Sequence, residues 1–148
     1  MNIVVNCVFV CLFVCLFLCI DFTRAINDPT LGNEPSLKIK TLHRRGLAYF
    51  ETSSFECCVS DTASILMLDP NHIMGRALMA RALKMIGELK KAEEQITNVI
   101  TMENDQPNHF IERGDIRFRA GDKHKCIEAI YGTYVILCLN AIMIVYTV

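Results

Sequence analysis

The sequence predicts an all-α protein, an α-solenoid of antiparallel helix pairs flanked by an apolar segment at each end. Small residues recur every 34 positions, at Gly46, Ala80 and Gly114. Between them, apolar residues recur at the three- and four-residue spacings of amphipathic helices, and no stretch alternates like a strand. A repeat of this length is typical of solenoids in which each helix pair buries its apolar face against its neighbours.

Two helices are predicted in each of three repeats. Gly87 interrupts the apolar run of the second repeat, and residues 69–71, with sequence Asp-Pro-Asn, end the second helix of the first repeat. Ser53, Gly87 and Gly121 coincide at the 34-residue offset. The predicted helices cover 39–51, 54–68, 73–86, 89–102, 107–120 and 123–136, which gives repeats 39–72, 73–106 and 107–136.

The first end of the chain is apolar, because all fifteen Lys and Arg and all sixteen Asp and Glu residues lie between Asp21 and Glu128. Residues 1–25 are similar to a signal peptide with a small residue at Ala25, or to a membrane anchor. The Cys-Leu-Phe-Val cycle in residues 8–19 has an alternative origin in a simple repeat of the coding sequence. A linker is predicted over residues 26–38.

The second apolar segment, residues 129–148, overlaps the last predicted repeat helix. Its twenty residues would extend ~30 Å as a helix, which matches the thickness of a bilayer core. A tail anchor, a capping helix and a truncated array are three open interpretations. We expect a cytoplasmic-type repeat core that is membrane-associated, or enters the secretory pathway, if the apolar ends are functional.

Over about residues 39–136 the repeat resembles the tetratricopeptide repeat family, which implies a right-handed solenoid of about three repeats. Tyr49 and Leu83 occupy the family's bulky position on the first helix, whereas Arg117 replaces it in the third repeat. In that family a small residue on the first helix contacts a small residue on the second. The resemblance implies three such structural pairs: Gly46 with Cys58, Ala80 with Ala92, and Gly114 with Cys126.

The resemblance also implies a concave groove lined by the first helix of each repeat. Basic side chains beside apolar ones suit a protein or peptide partner with acidic and apolar residues. Phe50 and Phe118 could equally be ordinary packing residues. The positions selected by the register are Lys40, His43, Leu47, Phe50, Met74, Ala77, Arg81, Lys84, Asn108, Ile111, Asp115 and Phe118.

One subfamily binds a terminal carboxylate of Hsp70 or Hsp90 through a basic residue and an asparagine on the first helix of the first repeat. Those positions hold His43 and Leu47 in this sequence, and the asparagine position of the second repeat holds Leu78. An Hsp70/Hsp90-type carboxylate clamp is therefore disfavoured.

Two further patterns are interpreted from the repeat register. Cys58 and Cys126 occupy the same position two repeats apart, which is too distant for a disulfide, and we expect buried, reduced thiols. Residues 113–115 spell the integrin-recognition tripeptide Arg-Gly-Asp. Because the register places Gly114 within a helix, we interpret this match as chance.

No catalytic or cofactor motif accompanies the repeats: Cys-x-x-Cys, His-Glu-x-x-His and glycine-rich phosphate loops are all absent. His43, His72 and His109 lack the close spacing of zinc ligands. A net charge of -1 with mixed signs gives no general attraction to nucleic acid. We therefore predict no enzyme activity, no cofactor, no metal and no nucleic-acid partner.

The function predicted from these features is that of a protein-protein interaction adaptor or scaffold. The groove would bind a peptide or a partner helix. Two alternatives remain open from the sequence: a membrane-tethered receptor or assembly factor anchored by an apolar terminal helix, and a truncated fragment of a larger repeat array.

Overall fold

The computed structural model describes residues 17–28, 34–128, 131, 134 and 135, and the regular structure within them is all α-helix. Residues 17–26 and 123–128 are helical in addition to five longer helices. Boundaries agree with the predicted ones to within one residue, except that the first helix begins four residues early, inside the predicted linker. The five helices are α1 (Pro35–Glu51), α2 (Phe55–Leu68), α3 (Ile73–Ile86), α4 (Leu89–Met102) and α5 (Pro107–Arg119).

Local chemistry determines where the first helix of each repeat begins. Pro35 and Pro107 stand at the starts of α1 and α5, where a fixed φ and a missing N–H group suit the first turn. Before α3, the Nδ1 atom of His72 accepts a hydrogen bond of 2.9 Å from the backbone N–H of Gly75. The neutral His72 ring therefore carries its proton on Nε2.

The turns between the two helices of each repeat share one backbone conformation. Ser53, Gly87 and Gly121 all have positive φ angles, of 60°, 95° and 80°. Glycine adopts this left-handed region at little cost, whereas Ser53 is the one non-glycine example among the residues described. The 34-residue sequence period is therefore also a structural period.

The core runs along α3, which packs against helices on both sides of it. Leu78 and Ala82 of α3 form a buried cluster with Cys58 of α2. Ala80 and Leu83 belong to a second cluster that extends through α4 to α5. Its remaining members are Ala92, Ile96, Val99 and Ile116. One helix thus connects the first repeat to the third.

The small residues of the predicted pairs lie mainly in the interior. Ala80 and Ala92 are fully buried in the same cluster. A Cβ atom added to the buried Gly46 would lie 3.4 Å from Leu78 Cδ2 and 3.8 Å from Asp61 Cβ. Gly46 therefore allows close approach to α3 as well as to α2. Of the other predicted pair members, Cys58 and Gly114 are buried and Cys126 is partly buried.

Three of the cysteines in the helical repeats are thiols rather than disulfides, namely Cys57, Cys58 and Cys126. Burial raises the pKa of Cys58 to about 12, with a further contribution from nearby Asp61. The Cys58 thiol therefore stays protonated at neutral pH. Cys57, its neighbour in the sequence, is exposed.

The predictions for the chain ends fall largely on residues outside the described ranges, above all 1–16 and 136–148. Within the described ranges, no helix has both the length and the apolar character needed to cross a bilayer. Residues 17–26, which include the described part of the first apolar segment, contact α1 through a hydrogen bond from Arg45 to Thr23.

Replacing Ala80 or Ala92 by leucine tests the close contact between α3 and α4. Both sites are fully buried, so the larger side chain should lower the free energy of unfolding by about 1–3 kcal/mol through overpacking. Urea unfolding followed by circular dichroism measures the change. Lys91→Leu, at an exposed site on α4, is the control and should change stability by less than ~0.5 kcal/mol. Wild-type stability of Ala80→Leu would contradict the proposed contact.

Candidate functional site

The residues predicted to line the groove lie on α1, α3 and α5, the first helices of the three repeats. We call the side of these helices that they mark the first-helix surface. Those exposed to solvent are Lys40, Leu47, Met74, Arg81, Asn108, Ile111 and Phe118. Those partly buried are His43, Phe50, Ala77, Lys84 and Asp115. The partly buried residues make the contacts that connect one first helix to the next.

Phe50 and Arg81 form the contact between α1 and α3. The Arg81 guanidinium carbon lies 4.6 Å from the centroid of the Phe50 ring, within the range of a cation-π interaction. The Phe50 ring contacts the Phe55 ring edge-to-face, with ring centroids 5.4 Å apart, and packs against the cluster around Cys58. Phe50 is thus a packing residue that also positions Arg81. Arg81 forms no ion pair with any residue in the described ranges.

Lys84 forms the contact between α3 and α5. Its Nζ atom lies 2.6 Å from Glu112 Oε1 and 2.8 Å from Asp115 Oδ2, and its side chain is only 11% exposed. The hydrogen bond from Lys84 holds the pKa of Asp115 below its usual value. Lys84 was expected to offer its charge to a partner. Instead, two carboxylates of the same chain neutralise it.

The two contacts use equivalent positions of the repeat. Phe50 and Arg81, like Lys84 and Asp115, are separated by 31 residues, which is one repeat less about one helical turn. Glu112, one turn before Asp115, was missed by the sequence reasoning. Glu112 follows Lys84 by 28 residues, so the signal that could have found it is an acidic residue one helical turn before the position 31 residues after Lys84.

At the other end of the first-helix surface, His43 of α1 faces His72 before α3, with ring centroids 6.0 Å apart. Burial lowers the pKa of His43, and the proximity of His72 lowers it further. His43 is therefore neutral at pH 7. Leu47 and the buried Leu78 fill the remaining positions of the disfavoured carboxylate clamp, so none of the three supplies a cation at neutral pH.

Arg117, which interrupts the repeat pattern, makes a different kind of contact at its position. Its Nε atom donates to Glu93 Oε1 of α4 at 2.7 Å, and its Nη1 atom donates to the backbone carbonyl of Lys125 at 3.0 Å. An ion pair therefore joins the third repeat to α4. In the first two repeats the same position holds a bulky residue, Tyr49 or Leu83. Glu93 is therefore a structural partner of the third repeat.

The Arg-Gly-Asp tripeptide lies within α5. Arg113 stacks on Phe110 at 5.3 Å, Gly114 is buried and Asp115 binds Lys84. Its two charged groups thus make contacts within the protein. Among the described residues, no group of three or more His, Cys, Asp or Glu side chains is arranged to hold a metal ion.

Helix pairs with a common turn, joined through their first helices, define the protein as an α-solenoid repeat protein. No protein-family model and no curated protein matches its sequence, whereas solved structures match its fold. A crystal structure of MamA aligns with a TM-score of 0.67 and 22% identity over 78% of this chain and 68% of MamA.

Two further structures show the same likeness. The second TPR of Spaghetti (RPAP3), bound to the HSP90 peptide SRMEEVD, aligns with a TM-score of 0.62 and 18% identity, covering 67% of this chain and 92% of that one. MamA 41-end from Desulfovibrio magneticus RS-1 aligns with a TM-score of 0.66 and 15% identity, covering 78% and 66%. The chain therefore has the tetratricopeptide-repeat fold.

Lys84→Met tests the ion pair between α3 and α5. Removing the ammonium leaves Glu112 without a counter-charge and Asp115 with only the Arg119 guanidinium at 3.4 Å, so the free energy of unfolding should fall by about 1–3 kcal/mol. The loss should be largely recovered in the triple variant that also carries Glu112→Gln and Asp115→Asn. Lys90→Met, at an exposed site on α4, is the matched control. If Lys84→Met unfolded at the same urea concentration as Lys90→Met, the ion pair would have no stabilising role.

The lowered pKa of His43 predicts a pH dependence of stability. The unfolded chain, with a histidine pKa of about 6.5, binds a proton at this position more readily than the folded one. The free energy of unfolding should therefore fall as the pH is lowered through that value, until the pH lies below the folded pKa. Urea unfolding at pH 7.5 and 5.5 should show a smaller fall for His43→Gln than for wild type. Exposed His124 provides the control variant His124→Gln, which should behave like wild type.

Proposed function

We propose that this protein is an interaction adaptor whose first-helix surface binds a peptide or a helix of another protein. The observation that carries the proposal is the combination of an exposed cation, Arg81, with large exposed apolar side chains on the same surface. Met74, Ile111 and Phe118 are 61%, 56% and 64% exposed.

The fold is consistent with such a role. One protein with a similar fold, the second TPR of Spaghetti, was solved with an HSP90 peptide bound. The present chain shares 18% identity with it, so that likeness supports the kind of ligand and not its identity. We assign no catalytic residue, cofactor or nucleic-acid partner to this surface.

The charges on the surface favour a partner with a carboxylate placed opposite Arg81. The Phe50 ring lies against the guanidinium, 4.6 Å from its carbon, and restricts the position of the group. A fixed guanidinium can bind a carboxylate through two parallel hydrogen bonds. Lys84 is already neutralised by Glu112 and Asp115, so Arg81 and the exposed Lys40 are the cations we assign to the partner.

The apolar side chains define the rest of the ligand. Leu47 on α1, Met74 on α3 and Ile111 on α5 would each contact an apolar group of the partner. Contacts of this type supply buried area, whereas the ion pair determines register and orientation. We therefore propose a ligand segment with an acidic residue flanked by apolar ones.

Charge reversal at Arg81 tests this proposal. Peptides selected from a random display library against the full chain serve as probes, and fluorescence anisotropy measures their affinity. Arg81→Glu should weaken binding at least tenfold, equivalent to about 1.4 kcal/mol, because it removes the donor and introduces repulsion. Circular dichroism should stay helical, since Arg81 is exposed.

Lys91→Glu makes the same charge change at an exposed site on α4 and should leave affinity unchanged. The mild variant Phe118→Ser should weaken binding without changing the net charge. Equal affinity of wild type and Arg81→Glu would contradict the assigned cation. A loss of affinity in Lys91→Glu would move the binding site away from the first-helix surface.

A further inference from the structure

We propose that residues 17–26 are a permanent part of the folded domain. In this proposal they dock on α1 in the place of the second helix of a preceding repeat and are not removed as a signal peptide. The docking surface is the side of α1 that carries Thr41, Arg45 and Ala48. This assignment is independent of the partner-binding surface, since it concerns another side of α1.

The first observation is that α1 is buried on two sides. Leu42 and Gly46 are buried on the side that packs against α2 and α3. Thr41 and Ala48 are also buried, although their positions in the helix, seven residues apart, place them together on a different side. An element other than α2 and α3 must therefore cover this second side.

The repeat register identifies which kind of element belongs there. Gly75 and Ala82 of α3 are the equivalents of Thr41 and Ala48, one repeat later in the sequence. A Cβ atom added to Gly75 would lie 3.1 Å from Ile65 Cγ2 of α2, and Ala82 lies in the cluster with Cys58 of α2. This side of a first helix thus faces the second helix of the preceding repeat. For α1, only residues 17–28 precede it among the residues described.

Direct contacts place residues 17–26 on this side of α1. Arg45 Nη1 donates a hydrogen bond of 3.1 Å to Thr23 Oγ1, and the Thr23 hydroxyl donates one of 2.7 Å to the carbonyl of Cys19. Arg45 also binds both carboxylate oxygens of Asp61 in α2, at 2.8 and 2.6 Å. A single guanidinium therefore joins residues 17–26, α1 and α2. Cys19 is only 8% exposed.

Removal of the segment after Ala25 is incompatible with the docked position, because Cys19 and Thr23, which contact each other and Arg45, would be removed with it. Cleavage there would also uncover Thr41 and Ala48. The ends of a solenoid need a cap to cover the apolar side of the terminal repeat, and residues 17–26 provide one at the first repeat.

Thiol reactivity in the full chain tests the docking. Under native conditions with N-ethylmaleimide, followed by peptide mass spectrometry, exposed Cys57 should react rapidly. Cys19 should react at least about tenfold more slowly, because it becomes accessible only when the helix opens locally. Protection of Cys58 from the same reagent shows that the repeat core is folded. A Cys19 rate equal to that of Cys57, with Cys58 still protected, would overturn the proposal.

Two variants connect this protection to the contacts. Ala48→Gln places a larger polar side chain on the docking side, and Thr23→Val removes the hydroxyl that joins Arg45 to Cys19 while keeping the side-chain shape. Each should raise the Cys19 rate several-fold without changing that of Cys58. Arg44→Gln, at an exposed site on α1, is the control and should leave the rate as in wild type.

The milder Thr23→Val variant decides the question if Ala48→Gln unfolds and exposes Cys58. Unchanged Cys19 protection in a folded Thr23→Val protein would overturn the assigned contact. The second measurement is the intact mass of the folded protein recovered from eukaryotic cells. A mass that includes residues 17–26 is expected, and a mature chain that begins at Ile26 would overturn the proposal.

Discussion

Close packing of α3 against α4 at Ala80 and Ala92 determines the geometry of the whole array. Because neither residue carries a side chain beyond Cβ, the two helices can approach closely. The larger apolar residues of the same buried cluster then pack with Ile116 of α5. The α3 residues Leu78 and Ala82 pack at the same time against Cys58 of α2. Since α3 is held between both clusters, its remaining side, which carries the two cations of the candidate site, has a fixed place in the array.

Those two cations, one helical turn apart, have acquired different roles through their neighbours. Arg81 lies over an aromatic ring and stays exposed. Lys84 lies between two carboxylates and is almost covered. The first can still form strong hydrogen bonds with another molecule, whereas the second has already used its charge to join α3 to α5. Charge alone therefore does not identify a binding residue, and the adjacent first helix must be considered with it.

Much of the fold follows from local sequence signals. The 34-residue period, the turns at Ser53, Gly87 and Gly121, and the bounds of α2 to α5 were all predicted, because helix pattern and turn residues act over a few positions. The early start of α1 was missed for an equally local reason. Pro35 was interpreted as part of a linker, although proline is also favoured in the first turn of a helix.

The candidate site was predicted less completely, because its details are tertiary. The register selected the first helices, but it could not show that Glu112 and Asp115 neutralise Lys84. That contact depends on how far one first helix is shifted along the next. The contacts between residues 17–26 and α1 were not predicted for a different reason. An apolar sequence is equally suited to a membrane and to a protein interior, and the hydrogen bond between Thr23 and Arg45 is a tertiary contact.

The 34-residue structural period bears on how such arrays change in length. An in-frame loss of residues 73–106 would remove one whole repeat, join the segment after α2 directly to α5 and bring α1 next to α5. Phe50 would then face Asp115, the equivalent of Arg81 one unit later. The shortened array would keep its helical packing but present an anion where the longer one presents a cation. Gain or loss of a unit in this architecture can therefore reverse the charge preference of the exposed surface without any point substitution.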